Sequence, residues 1–308
     1  MERRLGDHIQ KLYKLSNPRF ESVTNEMHRC ITENGIYYVR ATNYKPLEEQ
    51  EAEIQLLRAL KQYGIGVPAI VQSIHNRFLE QIDDEGTKTL VVFDAAPGIH
   101  VPREHWNEEM LYEVGKEIGR MHRVCQQYMK NDSKPTIKHW HESDEYRFLD
   151  YIPEEEIHIR KLADDVLAQI HEIPRLDTNY GIIHGDLWLE NILITEDHQV
   201  TFIDFQDAER HFYLYDLVVP VYSAMEFSFT GKGNIRDYAN RIKAAILKGY
   251  IEEHELPQDM LRCWPLFYRL KELFEYALMH MYWNKEQLTE EQVRILNLYR
   301  MKLENPIL

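Results

Sequence analysis

The 308-residue chain is 44% hydrophobic and 11% aromatic, enough apolar material to bury a sizeable core in one large domain or two lobes. Lysine and arginine total 36 against 51 acids, a formal charge of −15 that repels nucleic-acid phosphates, so no nucleic-acid partner is expected. The charged opening lacks the apolar run of a signal peptide, no apolar stretch approaches the ~20 residues that cross a bilayer, and Cys30, Cys125 and Cys263 are too widely spaced for a disulfide framework or a thiolate zinc site. These features exclude export and a membrane span as expectations and fit a reducing cytoplasm.

In chain order, residues 27–33 and 36–42 read as strands joined at Asn34-Gly35, a hairpin signal because both positions tolerate positive φ. Pro46 opens a helix whose apolar residues recur through Leu56, Leu57 and Leu60 until Gly64 and Gly66 end it. Residues 69–74 and 87–93 are further strand candidates, and Asp94-Ala-Ala-Pro-Gly98 replaces the apolar run with turn residues, marking a boundary after residue 94. The chain then turns helical: Leu111, Val114, Ile118 and Met121 form one stripe, with Gly115 and Gly119 suited to close helix packing. A β segment at 181–194 and another at 200–205 interrupt the helices, whose periodicity returns from about Tyr238 to Met301. The reading is α+β: residues 1–94 form a β-rich lobe with one helix, and residues 95–308 a larger helical lobe.

The chemistry concentrates in His184-Gly-Asp186-Leu-Trp-Leu-Glu-Asn191, followed thirteen residues later by Asp204 at a strand end. Phosphoryl transfer needs a carboxylate to orient the acceptor hydroxyl and hard oxygen ligands to hold Mg²⁺ on the phosphates, and Asp186, Asn191 and Asp204 supply that set. Helix phase adds Glu53, which shares the stripe of Leu56, Leu57 and Leu60 and so faces inward, where a carboxylate requires a cation. Gly231-Lys-Gly lacks the flanking residues of a P-loop, Gly64-x-Gly66 ends a helix instead of opening one, and His139-Trp-His141 has no third metal ligand at a recognised spacing.

The Asp-x₄-Asn spacing and the strand-terminal Asp resemble the catalytic loop and metal motif of protein kinases. With Gly185 in place of Arg, Ile203-Asp-Phe-Gln206 in place of Asp-Phe-Gly, and Tyr215-Asp216-Leu217 downstream, the passage is similar to the aminoglycoside phosphotransferase and choline kinase family. The resemblance implies a two-lobed protein-kinase-like fold, ATP (with GTP possible) and Mg²⁺ as cofactors, and a small-molecule hydroxyl acceptor. It implies Asp186 as catalytic base, Asn191 and Asp204 as metal ligands, Asp216 as a buried supporting aspartate and His184 as a structural residue of the loop. By the same resemblance Arg40 contacts the nucleotide phosphates and pairs with Glu53. Ser22 and Asn25 stand where the phosphate-covering loop belongs, though without a glycine, and Phe93, Asp94 and Ala95 present backbone groups to adenine.

Two rivals stay open at this point. A protein Ser/Thr kinase needs a long activation segment after Asp204, and only 211–217 follows. A non-catalytic scaffold would have lost Asp186, Asn191 or Asp204, and all are present. The acceptor pocket is expected among the acids of the helical lobe, with Glu272 and Glu275 near Tyr276, Tyr282 and Trp283 favouring an amine-bearing alcohol. The sequence sets no oligomeric state.

Overall fold

A computed structural model describes residues 2–84, 86–130, 137–227, 231 and 233–305; Lys232 of the rejected glycine motif lies outside them. The chain forms two compact units, one of residues 1–100, 127–137 and 190–206, the other of 101–126, 138–189 and 207–308.

In the first unit, helix α1 (Glu2–Tyr13) precedes strands β1 (Arg19–Ser22), β2 (Met27–Thr32) and β3 (Gly35–Thr42), helix α2 (Leu47–Gln62), and strands β4 (Glu80–Asp83) and β5 (Thr87–Asp94). The strands make an antiparallel sheet in the order β1-β2-β3-β5-β4. Side chains alternate across β3: Val39 and Ala41 join Leu5, Ile9, Leu12 and Tyr13 of α1 in one core cluster, while Arg40, on the opposite face, meets Glu53 of α2. The sequence reading has one helix in this unit; α1 is the second, and its Leu5, Ile9 and Leu12 do carry helical spacing. Residues 69–74 form no strand: they join the sheet through a bridge from Ile70 to Phe93 and enter a turn at Ile74, because β4 occupies the β5 edge from Thr87 to Leu90.

The unit also takes in a small sheet of Ile99–His100, Ile192–Ile194 and Val200–Phe202, and so differs from a single cut after residue 94. A close backbone approach explains the difference. Phe202 N–H donates to Gly66 O at 2.8 Å, and a Cβ at Gly66 would lie 1.9 Å from Val200 O.

The second unit is mainly helical: α3 (Glu108–Met129) up to Gln126, α4 (Phe148–Tyr151), α5 (Ile157–Glu172), α6 (Tyr213–Phe227), α7 (Ile235–Glu253), α8 (Gln258–Arg262), α9 (Trp264–Tyr282) and α10 (Glu290–Glu304). Helix α6 is buried nearly all round and packs on α7 and α9. The glycine expectation for α3 is met, since a Cβ at Gly115 would fall 2.0 Å from Ile246 O and one at Gly249 would fall 2.0 Å from Tyr112 O. Only glycine at both positions lets α3 and α7 touch backbone to backbone. An antiparallel pair, Tyr180–Ile183 with Glu209–Phe212, leads into the loop that begins at His184.

Candidate active site

The loop is held from below by one carboxylate. Asp216, in the first turn of α6, is fully buried; its Oδ2 accepts the His184 N–H at 2.8 Å and its Oδ1 accepts the Gly185 N–H at 2.9 Å. His122 of α3 adds Nε2 at 3.0 Å from Asp216 Oδ2, and Tyr250 Oη lies 3.0 Å from His122 Nδ1. A buried anion that collects two backbone amides and an imidazole fixes the loop conformation. His184 is itself buried, and its Nδ1 accepts the Asp186 N–H at 3.3 Å. Gly185 has φ +84°, and a Cβ there would lie 2.3 Å from Asp207 O. That approach gives the physical reason why glycine replaces the arginine of the kinase motif.

Above this support stands Asp186, whose side chain retains 33% of its exposure. Burial pushes its carboxyl up, Lys271 pulls it down, and Asp207 and Glu275 push it up again, leaving it raised to about 6. Lys271, on α9, reaches to 3.7 Å of Asp186 Oδ1 and 2.7 Å of Glu275 Oε1.

In the first unit, Asn191 ends a short 3-10 turn and accepts the Ile203 N–H through its backbone oxygen at 3.0 Å, which ties it to the residue before Asp204. Asp204 is exposed and has φ +64°, a left-handed conformation that a non-glycine residue adopts at some cost. Arg40 is buried with both guanidinium nitrogens on Glu53, Nη1 to Oε1 at 2.9 Å and Nη2 to Oε2 at 2.7 Å. Burial pulls the Arg40 pKa down, but Glu53, Asp204 and Glu26 more than offset that and raise it, so the guanidinium stays charged.

Two segments expected at the nucleotide are held by local hydrogen bonds. The N–H groups of Asp94 and Ala95 donate to Ala69 O at 2.9 Å and Ile36 O at 3.3 Å, beside Phe93 in the sheet. The β1–β2 turn is closed on itself: Ser22 Oγ donates to Thr24 O at 3.0 Å, Thr24 Oγ1 accepts from Glu26 and Met27 N–H, and Asn25 is exposed.

The acceptor candidates are already engaged within the chain. Glu272 is 1% exposed and pairs with Arg269 at 2.7 Å; burial raises its carboxyl to about 7 against the pull of Arg269. Glu275 is taken by Lys271. Trp283 lines a cavity of ≈ 270 Å³ with Glu156, His280 and Arg300, and Asp186, Lys271 and Trp188 are not among its walls. Most of the other acids are also internally matched: Asp144 and Asp150 bind Arg147, Glu156 binds Arg300 and Tyr276, and Glu142 accepts the His139 N–H. Sequence reasoning missed Lys271, although helix phase places it with Phe267 and Phe274 on α9, the same signal that revealed Glu53.

Residues 18–254 match the description of the phosphotransferase enzyme family. Amicoumacin kinase of Bacillus subtilis (strain 168) is 27% identical over 286 residues, covering 91% of this chain and 84% of the relative. The structure of amicoumacin kinase hAmiN in complex with AMP-PNP, Ca²⁺ and Ami superposes with a TM-score of 0.90 at 24% identity, covering 99% of this chain and 94% of that one. A microcompartment-associated aminopropanol kinase gives 0.79 at 19% identity, covering 98% and 94%. With more than half of its length inside the family match and the family's protein-kinase-like fold throughout, the chain belongs to the phosphotransferase enzyme family.

Proposed function

We propose that this phosphotransferase moves the γ-phosphoryl group of ATP, with Mg²⁺, onto a hydroxyl of a small amine-bearing molecule in the cytoplasm. The observation that supports it most is the Asp216-anchored loop, which fixes Asp186 as an ionisable carboxylate with an open side. In this reading Asp186 accepts the proton of the acceptor hydroxyl as its oxygen attacks the γ-phosphorus, and the ADP oxygen leaves. Arg40, fixed by Glu53, holds nucleotide phosphate charge.

The donor set fits a hard divalent cation. Asn191 and Asp204 offer oxygens, and Mg²⁺ is ordinarily held by one or two carboxylates together with substrate phosphates, so a cage of three protein acids is not required. Among the described residues no such cage occurs. When bound, the metal neutralises charge developing on the phosphates.

The names of the relatives favour an amine-bearing acceptor, since the chain resembles kinases named for amicoumacin and aminopropanol. A protein substrate is disfavoured by the chain after Asp204, where a one-turn helix at Phe205–Asp207 and the strand Glu209–Phe212 run directly into α6 and leave no long activation segment. The test is calorimetric and enzymatic. MgATP at a hundredfold excess over its Kd is expected to stabilise the protein by about 2.7 kcal/mol. A panel of 1-amino-2-propanol, hydroxy amino acids, aminoglycosides, neutral sugars and hydroxy acids is then scored for ADP release. Absence of a metal-dependent thermal shift with either ATP or GTP would sink the nucleotide reading, and preference for neutral or anionic alcohols would sink the amine reading alone.

A further inference from the structure

Lys271 is a buried cation of the second unit. Its side chain is 1% exposed, and its ammonium lies 2.7 Å from Glu275, 3.7 Å from Asp186, 5.2 Å from the centre of the Trp188 ring and 5.1 Å from that of Phe274. Burying an ammonium is costly unless carboxylates and ring faces replace its water, so the position has no stability argument for lysine over a methionine of similar size. Burial works to strip its proton, yet Glu275, Tyr215 and Asp186 together more than offset that and raise its pKa. Around Asp186 the same region gathers Asp207 from the following one-turn helix and Glu275 from α9, with His184 and Lys271 as the groups that pull the other way. Asp186 and Glu275, both against one ammonium and with Asp207 adding like charge to Asp186, are held ionised together only by a counter-charge.

We infer that Lys271 is a positioning residue for the transfer reaction: its ammonium, enclosed by Asp186, Glu275, Trp188 and Phe274, is the fixed counter-charge that keeps the Asp186 carboxylate ionised and aimed. The inference rests on the proposed role of Asp186. The same lysine already occupies Glu275 and the Trp188 face.

The test compares Lys271→Met, Lys271→Ala, the double variant Lys271→Met/Glu275→Gln and Asp186→Asn. The carboxyl carbon of Asp186, labelled with ¹³C and assigned by its loss in Asp186→Asn, is titrated in each, and ATP turnover is followed against pH with water and with the panel alcohols as acceptors. Lys271→Met is expected to move the Asp186 midpoint, and with it the acid limb of turnover, upward by about 1 to 2 pH units, the usual effect of an opposite charge at this range. At pH 7 turnover then falls about 2- to 10-fold, the loss of ionised Asp186 that such a shift produces from a midpoint of about 6, and methylammonium restores part of it in Lys271→Ala. The double variant keeps the measurement available if the single one does not fold, and its midpoint is expected to move upward by less. An unchanged midpoint and acid limb in a folded variant that still binds MgATP overturns the inference. Inactive Asp186→Asn beside a normal Lys271→Met overturns it alone, whereas normal turnover in Asp186→Asn overturns the base assignment with it.

Discussion

Among the described residues, each unit buries one lysine or arginine against carboxylates, and the two pairs are built differently. Arg40 and Glu53 meet fork to fork through two hydrogen bonds, an arrangement that fixes both side chains and leaves little to adjust. Lys271 is instead a single charge shared between Glu275 and Asp186 over two aromatic faces. The guanidinium pair joins a strand to a helix; the shared ammonium, on the role proposed for Lys271, sets the charge state of a neighbour. On that proposal the same cost of burial supports rigidity in one place and chemistry in another.

Four measurements sharpen or break this comparison. The largest effect is expected at Asp186, where Asn should lower kcat by about 10²- to 10⁴-fold, the range typical of a lost general base, with the MgATP thermal shift unchanged. Retained turnover would remove the chemical half of the contrast. Next, Arg40→Ala leaves Glu53 buried and unpaired and should destabilise by about 3 to 5 kcal/mol, whereas Arg40→Met/Glu53→Gln should recover most of that loss in a melting experiment. If both variants melt alike, the pair is not a structural lock. Third, because the Asp186 carboxyl is raised to about 6 and acts ionised, kcat/KM should hold above that pH and fall about tenfold for each pH unit below it. An acid limb near 4 would deny that burial, with Asp207 and Glu275, holds the carboxyl up. The smallest effect is expected at Glu272, whose folded-state carboxyl is raised to about 7 above its ordinary 4.5. A raised carboxyl favours the protonated fold, so its contribution is fully present below pH 4.5 and lost as pH rises through 7. Glu272→Gln should therefore flatten the decline of melting temperature across that window by a few degrees and leave turnover unchanged; an equally steep decline would show that Glu272 is already satisfied by Arg269.

Much of this was legible in the sequence where one local rule decides. Asn34-Gly35 announced the β2–β3 hairpin, the spacing of Asp186, Asn191 and Asp204 announced the loop, and the phase of α2 turned Glu53 toward Arg40. Helix α1 was missed because its charged residues were read as an absence of apolar signal, although Leu5, Ile9 and Leu12 line one face. The acceptor acids misled for a different reason. Composition counts Glu272 and Glu275 as negative charges, whereas helix spacing pairs them with Arg269 at i,i+3 and Lys271 at i,i+4. Backbone donors at Asp94 and Ala95 were invisible until the partners at Ala69 and Ile36 were known.

The left-handed backbone of Asp204 carries an evolutionary consequence. Glycine would occupy φ +64° without the roughly 1 to 2 kcal/mol that an L-residue gives up there, and no other replacement relieves the backbone as fully. A population selected for thermal resistance alone should therefore drift toward Asp204→Gly and become more durable while losing its carboxylate. Persistence of aspartate in such a selection, with ATP turnover not required, would show that the conformation is not a burden; its replacement would mark this residue as a place where durability has been exchanged for activity.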